Sequence, residues 1–367
     1  MVITEVETIP ISLPLVRPNV TALGTVTHSR KVLVKIHTDE SVIGFGEASA
    51  YPEYGGGARE DIAASLEACT NLLVGEDPFE RQALMVRLLR SGATLPIARA
   101  AIDVALHDLV GKALNHPLST LFGGGLRDRV DVFYILAGAT PEAIAEDAVR
   151  ARDAWFRTVK LKAGFEPIGR TLEKLRAIRE AVGGSLAITV DANQGWEVKE
   201  AAAGIARMAA LGVESVEQPV AGPDLEGMAA LTRAADVRIV ADESVWNLKD
   251  ALEIVEKRAA HCLSVRISKA GGLREARNML DLAHAAGISC ILGSTLESSI
   301  GIAAAVQLGV TAPGRLEASA LSHHLMYPSP LIHSPLVLEH GAVLVPEGSG
   351  LGIQVDEEAL ADFRDDA

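Results

Sequence analysis

Three acidic residues recur at nearly equal intervals in the middle of the chain. Asp191 lies in ITVDANQGW, Glu217 in ESVEQPV and Asp242 in IVADESV, so they stand 26 and 25 residues apart. Each follows a short β-like run, and the intervals suit one strand, one helix and two loops. Successive parallel strands of a barrel would bring the three carboxylates to one rim, where barrel chemistry occurs. Three hard oxygen ligands there indicate a Mg²⁺ site, with Mn²⁺ as the alternative ion.

A lysine pair, Lys160 and Lys162, stands one interval upstream in TVKLKAG. Residues i and i+2 of a strand face the same side, so both ammonium groups would point into the barrel. Lysine is rarely buried there without a partner or a function; the alternative is a strand at the surface edge. A second ammonium, a divalent cation and partial burial would all lower the pKa of Lys162 from its usual value of about 10.4. Lys162 can then serve as a general acid or base.

The metal site and the lysine depend on each other chemically. Removing a proton next to a carboxylate creates a doubly charged enolate, which forms only if its charge is neutralised. A bound cation does this as a Lewis acid. The combination therefore predicts proton transfer at a carbon beside a carboxylate.

Composition limits the class of protein. The chain has 367 residues, of which 49% are hydrophobic, so it fits two domains or one barrel with additions. The net charge is −14 and no basic stripe is visible, which argues against a nucleic-acid partner. The three cysteines are far apart and predict neither disulfides nor a zinc site. The chain shows neither a signal peptide nor an apolar run of about 18 residues, so we expect a cytoplasmic protein without a membrane partner.

The elements that must position these groups follow from the pattern along the chain. Residues 1–50 are β-like and residues 58–125 are helical, up to the glycine-rich FGGGLRD. From about residue 131, eight strand candidates from VDVFYIL to a weak RLEAS alternate with helical stretches, which predicts a closed parallel barrel. After residue 325 the period is lost. We predict a capping domain over 1–125, a barrel over 126–325, and a C-terminal segment over 326–367 that returns to the cap.

The chain resembles the enolase superfamily, specifically the muconate lactonizing enzyme (muconate cycloisomerase) subgroup of the mandelate racemase/muconate lactonizing enzymes. The resemblance is carried by AAIDVALHDLVGKAL, TVKLKAG, DANQGW, VEQP, ADES, SKAGGL, GSTLESSIG and GSGLGIQVD, in this order. It implies an α/β fold, a modified TIM barrel of the (β/α)7β type with an α+β capping domain. It also implies a homo-oligomer. The pairing of a lysine base with Mg²⁺ is an established feature of this superfamily.

The resemblance also assigns roles to residues. It makes Asp191, Glu217 and Asp242 the metal ligands, Lys162 the acid/base and Lys160 its modulator. Two cap loops, about residues 17–30 and 50–57, would contact the substrate.

Four further residues are weaker candidates. Tyr54 is a candidate substrate contact, although a solvent-facing tyrosine is an equal alternative. Asn193 and Lys269 are candidate substrate-binding residues, and Lys269 is not taken as a substitute base. Glu297 in GSTLESS matches the glutamate of the family's seventh strand. It is a candidate catalytic residue, located at the rim of the pocket or directly behind it.

Departures from the family pattern bear on the reaction. The subgroup usually has a second lysine after the sixth strand, whereas this chain has Arg266. Arginine is never deprotonated in practice, so two-base epimerisation is disfavoured. Arg266 can supply positive charge or a bidentate carboxylate contact, or simply pair with Asp242 or Glu243.

The eighth strand departs as well. The D-x-D of dipeptide epimerases corresponds to Ala320 and Ser322, so an ammonium group would lack a counter-ion. The strand-seven histidine of mandelate racemases is absent. For His323 and His324, which follow strand eight, we expect an exposed or structural role.

The sequence thus predicts a Mg²⁺-dependent isomerase, cycloisomerase or lyase that acts on a small carboxylate or diacid through an enolate. The first alternative is a racemase or epimerase of N-acyl amino acids or dipeptides. The second, of another class, is a catalytically silent binding protein.

Overall fold

The computed structural model describes residues 1–21, 24–52, 56–92 and 94–365. The N-terminal part forms an antiparallel sheet in the order β1–β2–β3, covered by helices. Its elements are β1 (Ile3–Thr21), β2 (Gly24–Thr38), β3 (Ile43–Ser49), α1 (Arg59–Leu73), α2 (Arg81–Ser91) and α3 (Pro96–Ala113). The sheet lies within residues 1–50 and the helices lie within residues 58–125, as predicted.

Helix α3 packs directly on the sheet. A proline begins it, as is common in a first helical turn. Fourteen of its 18 residues are buried, so the helix is enclosed on all sides. A Cβ at Gly46 of β3 would lie 1.9 Å from the Ala101 carbonyl oxygen, and one at Gly44 would lie 2.2 Å from that of Ala105. Only glycine therefore allows β3 to lie against the helix backbone.

Two buried aspartates of α3 accept hydrogen bonds from backbone N–H groups in three different parts of the molecule. Asp103 accepts from the Leu273 N–H at 2.6 Å, in the barrel. Asp108 accepts from the Phe45 N–H of β3 at 3.0 Å and from the Leu351 N–H near the C-terminus at 2.9 Å. Helix α3 thus connects the cap sheet, the barrel and the C-terminal segment.

The barrel follows β4 (Arg129–Asp131). Within the described residues, seven parallel strands form one curled sheet in the order β5 to β11. The strands are β5 (Phe133–Ile135), β6 (Thr158–Lys162), β7 (Ala187–Asp191), β8 (Val213–Glu217), β9 (Arg238–Ala241), β10 (Cys262–Val265) and β11 (Ser289–Leu292). The helices are α4 (Pro141–Asp153), α5 (Ile168–Val182), α6 (Val198–Ala210), α7 (Leu225–Ala234), α8 (Leu248–Lys257), α9 (Ile267–Ala270), α10 (Leu273–Ala285) and α11 (Ser299–Gly309).

The segment predicted as a weak eighth strand closes the barrel. Leu316 forms a parallel bridge with Cys290 of β11, and Ser319 forms one with Val132, just before β5. The Ser319 N–H donates to the Asp131 carbonyl at 2.8 Å. A barrel with a separate antiparallel cap sheet confirms the predicted fold class.

One strand prediction was wrong in detail. VDVFYIL was read as a single strand, but the structure divides it between β4 and β5. Strand β4 pairs with β13 (Ala342–Leu344) in a small antiparallel sheet, which also contains β12 (Leu338–Glu339). The division falls at Val132, whose N–H donates to the Gly341 carbonyl at 2.9 Å.

The C-terminal segment also reaches the cap. It contains α12 (Glu357–Ala361), and Arg364 forms an antiparallel bridge with Ile11 of β1. These contacts do not fix where one domain ends, so the limits 1–125, 126–325 and 326–367 stay predictions. In the part of the chain described, no helix combines the length and apolarity needed to cross a bilayer.

Candidate active site

The barrel register places Lys162, Asp191 and Glu217 side by side. Lys162 is opposite Asp191 across β6 and β7, and Asp191 is opposite Glu217 across β7 and β8. Each is the last residue of its strand, while Asp242 directly follows β9 and Arg266 directly follows β10. All five residues therefore stand at the carboxyl end of the barrel, the face on which barrel active sites are found.

The two lysines contact different carboxylates. Lys160 Nζ donates to Glu217 Oε2 at 2.5 Å and lies 3.9 Å from the centre of the Phe133 ring. Lys162 Nζ donates to Asp191 Oδ2 at 2.7 Å. The side chain of Lys160 is 5% exposed, whereas that of Lys162 is 17% exposed. Lys162 is therefore the more accessible member of the pair.

Asp242 is held by two cations. Arg266 donates from Nε to Oδ1 at 3.1 Å and from a terminal nitrogen to Oδ2, and its other terminal nitrogen donates to the Ser294 carbonyl at 3.0 Å. Lys269 Nζ lies 2.8 Å from Asp242 Oδ1. Burial alone would raise the pKa of Asp242, but the Arg266 guanidinium and the Lys269 ammonium hold it well below its usual range. Arg266 thus pairs with Asp242, one of the two partners that the sequence left open.

The remaining carboxylates repel one another. Burial raises the pKa of Glu217; the Lys160 ammonium opposes this, and the charges of Asp191 and Asp242 add to it. Burial, followed by the charges of Asp242 and Asp191, raises the pKa of Glu243 to about 8. Its Oε2 is buried without a hydrogen-bond partner among the described residues. This crowding of buried negative charge would be relieved by a bound cation.

The donor set fits a hard divalent cation. Asp191, Glu217 and Asp242 are 2%, 4% and 0% exposed, and all three offer carboxylate oxygens of the kind Mg²⁺ prefers. As they stand, no three acidic, histidine or cysteine side chains of the described residues converge on one point. Each of the three carboxylates is instead paired with a lysine or arginine. An ion bound there would replace part of those pairings.

Asn193 joins the lysine to the carboxylates. Its Oδ1 accepts from Lys162 Nζ at 3.3 Å, its N–H donates to Asp191 Oδ1 at 3.0 Å, and its Nδ2 donates to Glu243 Oε1 at 3.1 Å. Asn193 is therefore placed to orient Lys162, and its predicted contact with substrate stays a prediction. Lys269 lies behind Asp242, against the Trp246 ring at 5.0 Å.

Two further candidates are Tyr54 and Glu297. Tyr54 falls outside the described residues. Glu297 accepts hydrogen bonds from the Ser294 hydroxyl and the Thr295 N–H, and burial raises its pKa. Ser294 and Thr295 line the pocket beside the lysines. The hydrogen bonds of Glu297 thus place it behind the loop that forms this wall.

The pocket also contains three residues that the sequence did not single out as substrate contacts, two of which lie in the predicted cap loops 17–30 and 50–57. Asn19 of β1, Tyr51 after β3, and His323 after the closing segment line it together with the lysines. Asn19 Nδ2 donates to the Tyr51 hydroxyl at 3.2 Å. His323 is only 7% exposed, so of the exposed or structural role predicted for it the exposed alternative does not apply. Its place directly after the closing segment, at the carboxyl end of the barrel, was the available signal.

Two family models together match most of the chain. The model described as Enolase C-terminal domain-like matches residues 143–359. The model described as Mandelate racemase / muconate lactonizing enzyme, N-terminal domain, matches residues 3–123. Both major parts of the fold are therefore covered.

Individual proteins are similar over nearly the whole length. Chloromuconate cycloisomerase of Cupriavidus pinatubonensis is 34% identical, with 96% of each chain covered. L-Ala-D/L-Glu epimerase of Bacillus subtilis is 32% identical, covering 96% of this chain and 97% of the relative. The crystal structure of muconate lactonizing enzyme from Pseudomonas fluorescens complexed with muconolactone superposes with a TM-score of 0.96 at 31% identity, with 99% of each chain covered.

Proposed function

This chain belongs to the mandelate racemase / muconate lactonizing enzyme family of the enolase superfamily, and on that premise we propose a single-base, Mg²⁺-dependent reaction. The substrate class is a small carboxylate or diacid, and the reaction is cycloisomerisation or the related β-elimination through an enolate. A homo-oligomer, expected from the family, is part of the proposal and is tested by light scattering.

The observation that carries this proposal is the difference between Lys162 and Arg266. Lys162 is partly exposed to the pocket and can give or take a proton. Arg266 is buried, spans both oxygens of Asp242 and stays protonated. Racemisation needs a proton removed from one face of a carbon and returned to the other. A lysine faced by an arginine supports proton transfer on one face only.

Each residue of the site has a separate role in the proposed reaction. Lys162 removes or delivers the proton at the carbon beside the substrate carboxylate, and Asn193 fixes the direction of its Nζ. Lys160, paired with Glu217, contributes fixed positive charge close by. Arg266 contributes a second fixed positive charge. A divalent cation held by Asp191, Glu217 and Asp242 would supply Lewis-acid stabilisation of negative charge on the substrate.

A second candidate is racemisation or epimerisation of N-acyl amino acids or dipeptides. It is favoured by the 32% identity to an L-Ala-D/L-Glu epimerase, close to the 34% identity to a cycloisomerase. Arg266 counts against it, and so does Ala320 in place of an acidic residue. The two candidates differ in whether one or both enantiomers exchange their α-proton.

Proton exchange in D₂O distinguishes them. Diacids and N-acyl amino acids are incubated with enzyme and Mg²⁺, and deuterium incorporation is followed by proton NMR. We expect exchange from one enantiomer only, and a loss of about 100- to 10,000-fold in Lys162→Ala. Lys257→Ala, at a surface ion pair with Glu226, is the matched control and should behave as wild type. Full activity of Lys162→Ala, or equal exchange of both enantiomers, would contradict the proposal.

A further inference from the structure

In His323, a hydrogen bond to the backbone determines which ring nitrogen can accept a hydrogen bond from a ligand. Its Nδ1 lies 2.8 Å from the carbonyl oxygen of Ala320. A carbonyl oxygen only accepts, so Nδ1 carries the proton, and Nε2 of the neutral ring presents a lone pair. The ring lines the pocket, and Nε2 has no hydrogen-bond partner among the described residues.

The surroundings keep this ring neutral. Burial lowers the pKa of His323 to about 3, and the positive charges of Lys162, Arg266 and Lys160 add to this, although the hydrogen bond to Ala320 opposes it. A ring that resists protonation to this degree is a weak base. It is therefore suited to accepting a hydrogen bond rather than to serving as a second base opposite Lys162.

Neighbouring residues of the same segment do not offer this function. Ala320 lines the pocket with a methyl group. The Ser322 hydroxyl donates to the Phe133 carbonyl at 2.9 Å. His323 is thus the polar side chain that this segment presents to the pocket. A neutral acceptor matches a neutral donor such as an amide N–H or a hydroxyl, since an ammonium group would need a counter-ion.

We propose that His323 Nε2 accepts a hydrogen bond from an N–H or O–H of the substrate, and that the natural substrate is a carboxylate carrying such a donor. This rests on the proposed function, whose substrate class it narrows. A substrate without a donor would leave a buried acceptor unpaired, which is unfavourable. N-acyl amino acids and hydroxy acids carry the donor, whereas an unsubstituted unsaturated dicarboxylate does not.

Substitutions can separate the two ring nitrogens. His323→Asn keeps an N–H near the Ala320 carbonyl and removes the acceptor at the Nε2 position. His323→Gln retains an acceptor at about that position. His324→Asn is the matched control, because His324 is equally buried and its Nδ1 lies 3.1 Å from the Leu321 carbonyl, but it does not line this pocket.

The probes are N-acetyl amino acids and 3-hydroxy acids, each paired with its N-methyl or O-methyl counterpart, in the presence of Mg²⁺. Turnover is followed by deuterium exchange, and probes that are not turned over are compared by calorimetric binding. Wild type should prefer the donor-bearing member of at least one pair. In that pair, His323→Asn should lower kcat/KM or affinity for the donor-bearing probe about tenfold and leave the methylated probe unchanged.

The remaining outcomes decide the proposal. Rescue by His323→Gln and wild-type behaviour of His324→Asn would support it. The probe pair that responds shows whether the donor on the substrate is an N–H or an O–H. An equal loss with both members of a pair, no loss with either, or no wild-type preference for any donor would overturn it. Activity of Lys162→Ala would instead overturn the proposed function, so the two failures are distinguishable.

Discussion

Arg266 donates to both carboxylate oxygens of Asp242, at the position where the subgroup usually carries a lysine. The pairing gives Arg266 two tasks: it compensates a fully buried carboxylate, and it places a cation that cannot titrate in the same pocket as Lys162. Charge-assisted bidentate pairs of this kind are among the stronger and more directional hydrogen bonds in proteins.

Restoring a lysine at this position should change the outcome of the reaction. Arg266→Lys keeps the positive charge beside Asp242 but introduces a group that can lose its proton, so we expect α-proton exchange from the second enantiomer to appear. Arg266→Met should show no such exchange and should lower kcat/KM about 10- to 100-fold, because a charged hydrogen bond is lost. Proton NMR in D₂O measures both. Wild-type exchange of both enantiomers would show this reasoning to be wrong.

Divalent cation should stabilise the fold through the carboxylates. A ligand that binds only the folded state contributes about 2.7 kcal/mol at a concentration 100 times its Kd. We therefore expect Mg²⁺ to raise the Tm by several degrees and EDTA to reverse the shift. Asp191→Asn should remove most of the effect, whereas Glu226→Gln, at the surface, should retain it. Scanning calorimetry with and without Mg²⁺ makes the comparison, and an unchanged shift in Asp191→Asn would exclude this site.

Breaking the buried pair of Lys31 and Glu47 should strongly destabilise the fold. Their side chains are 0% exposed and their charges lie 2.9 Å apart. Lys31→Met leaves the Glu47 charge buried without its cation, so the free energy of unfolding should fall by about 3–5 kcal/mol in urea titrations.

Lys35→Met is the control for that experiment. Lys35 pairs with Glu357, which is 56% exposed, so its loss should cost less than about 1 kcal/mol. Lys31→Met combined with Glu47→Gln should be less destabilised than Lys31→Met alone. Equal effects of the two lysine variants would contradict the expectation.

His324 should contribute to acid sensitivity. Burial lowers its pKa from 6.5 to about 4. Between these values the unfolded chain binds the proton and the folded protein does not, so stability is complete above pH 6.5 and falls as the pH drops towards 4. The loss from this one group is on the order of 3 kcal/mol. His324→Asn should therefore show a shallower decline in chemical unfolding experiments over this range, while His28→Asn, at the surface, should follow wild type.

The part of the site carried by the barrel was predictable because a strand–helix unit has a nearly fixed length. That regularity sets the spacing of Asp191, Glu217 and Asp242, and parallel pairing brings them to one end. Lys160 and Lys162 were predicted to face the same side because residues i and i+2 of a strand do so.

The rest depends on pairings between distant segments. Asn19 and Tyr51 reach the pocket from the cap, more than 100 residues before the barrel carboxylates. The resemblance indicated their two loops, but no local pattern singled out these two residues. His323 follows the weak eighth strand candidate, and no local pattern there indicates which side chain faces the pocket. The break in VDVFYIL at Val132 is set by Gly341, about 200 residues away. For Arg266, the sequence left two carboxylate partners open, and only the folded geometry selects Asp242.

Helix α3 has one more consequence. Through Asp103 and Asp108 it is tied to barrel and C-terminal backbone as firmly as to its own sheet, and through Gly46 it touches that sheet without intervening side chains. Moving the cap away from the barrel would break several of these buried hydrogen bonds at the same time. Within the part of the chain described, these buried bonds therefore oppose a movement of the cap away from the barrel at α3.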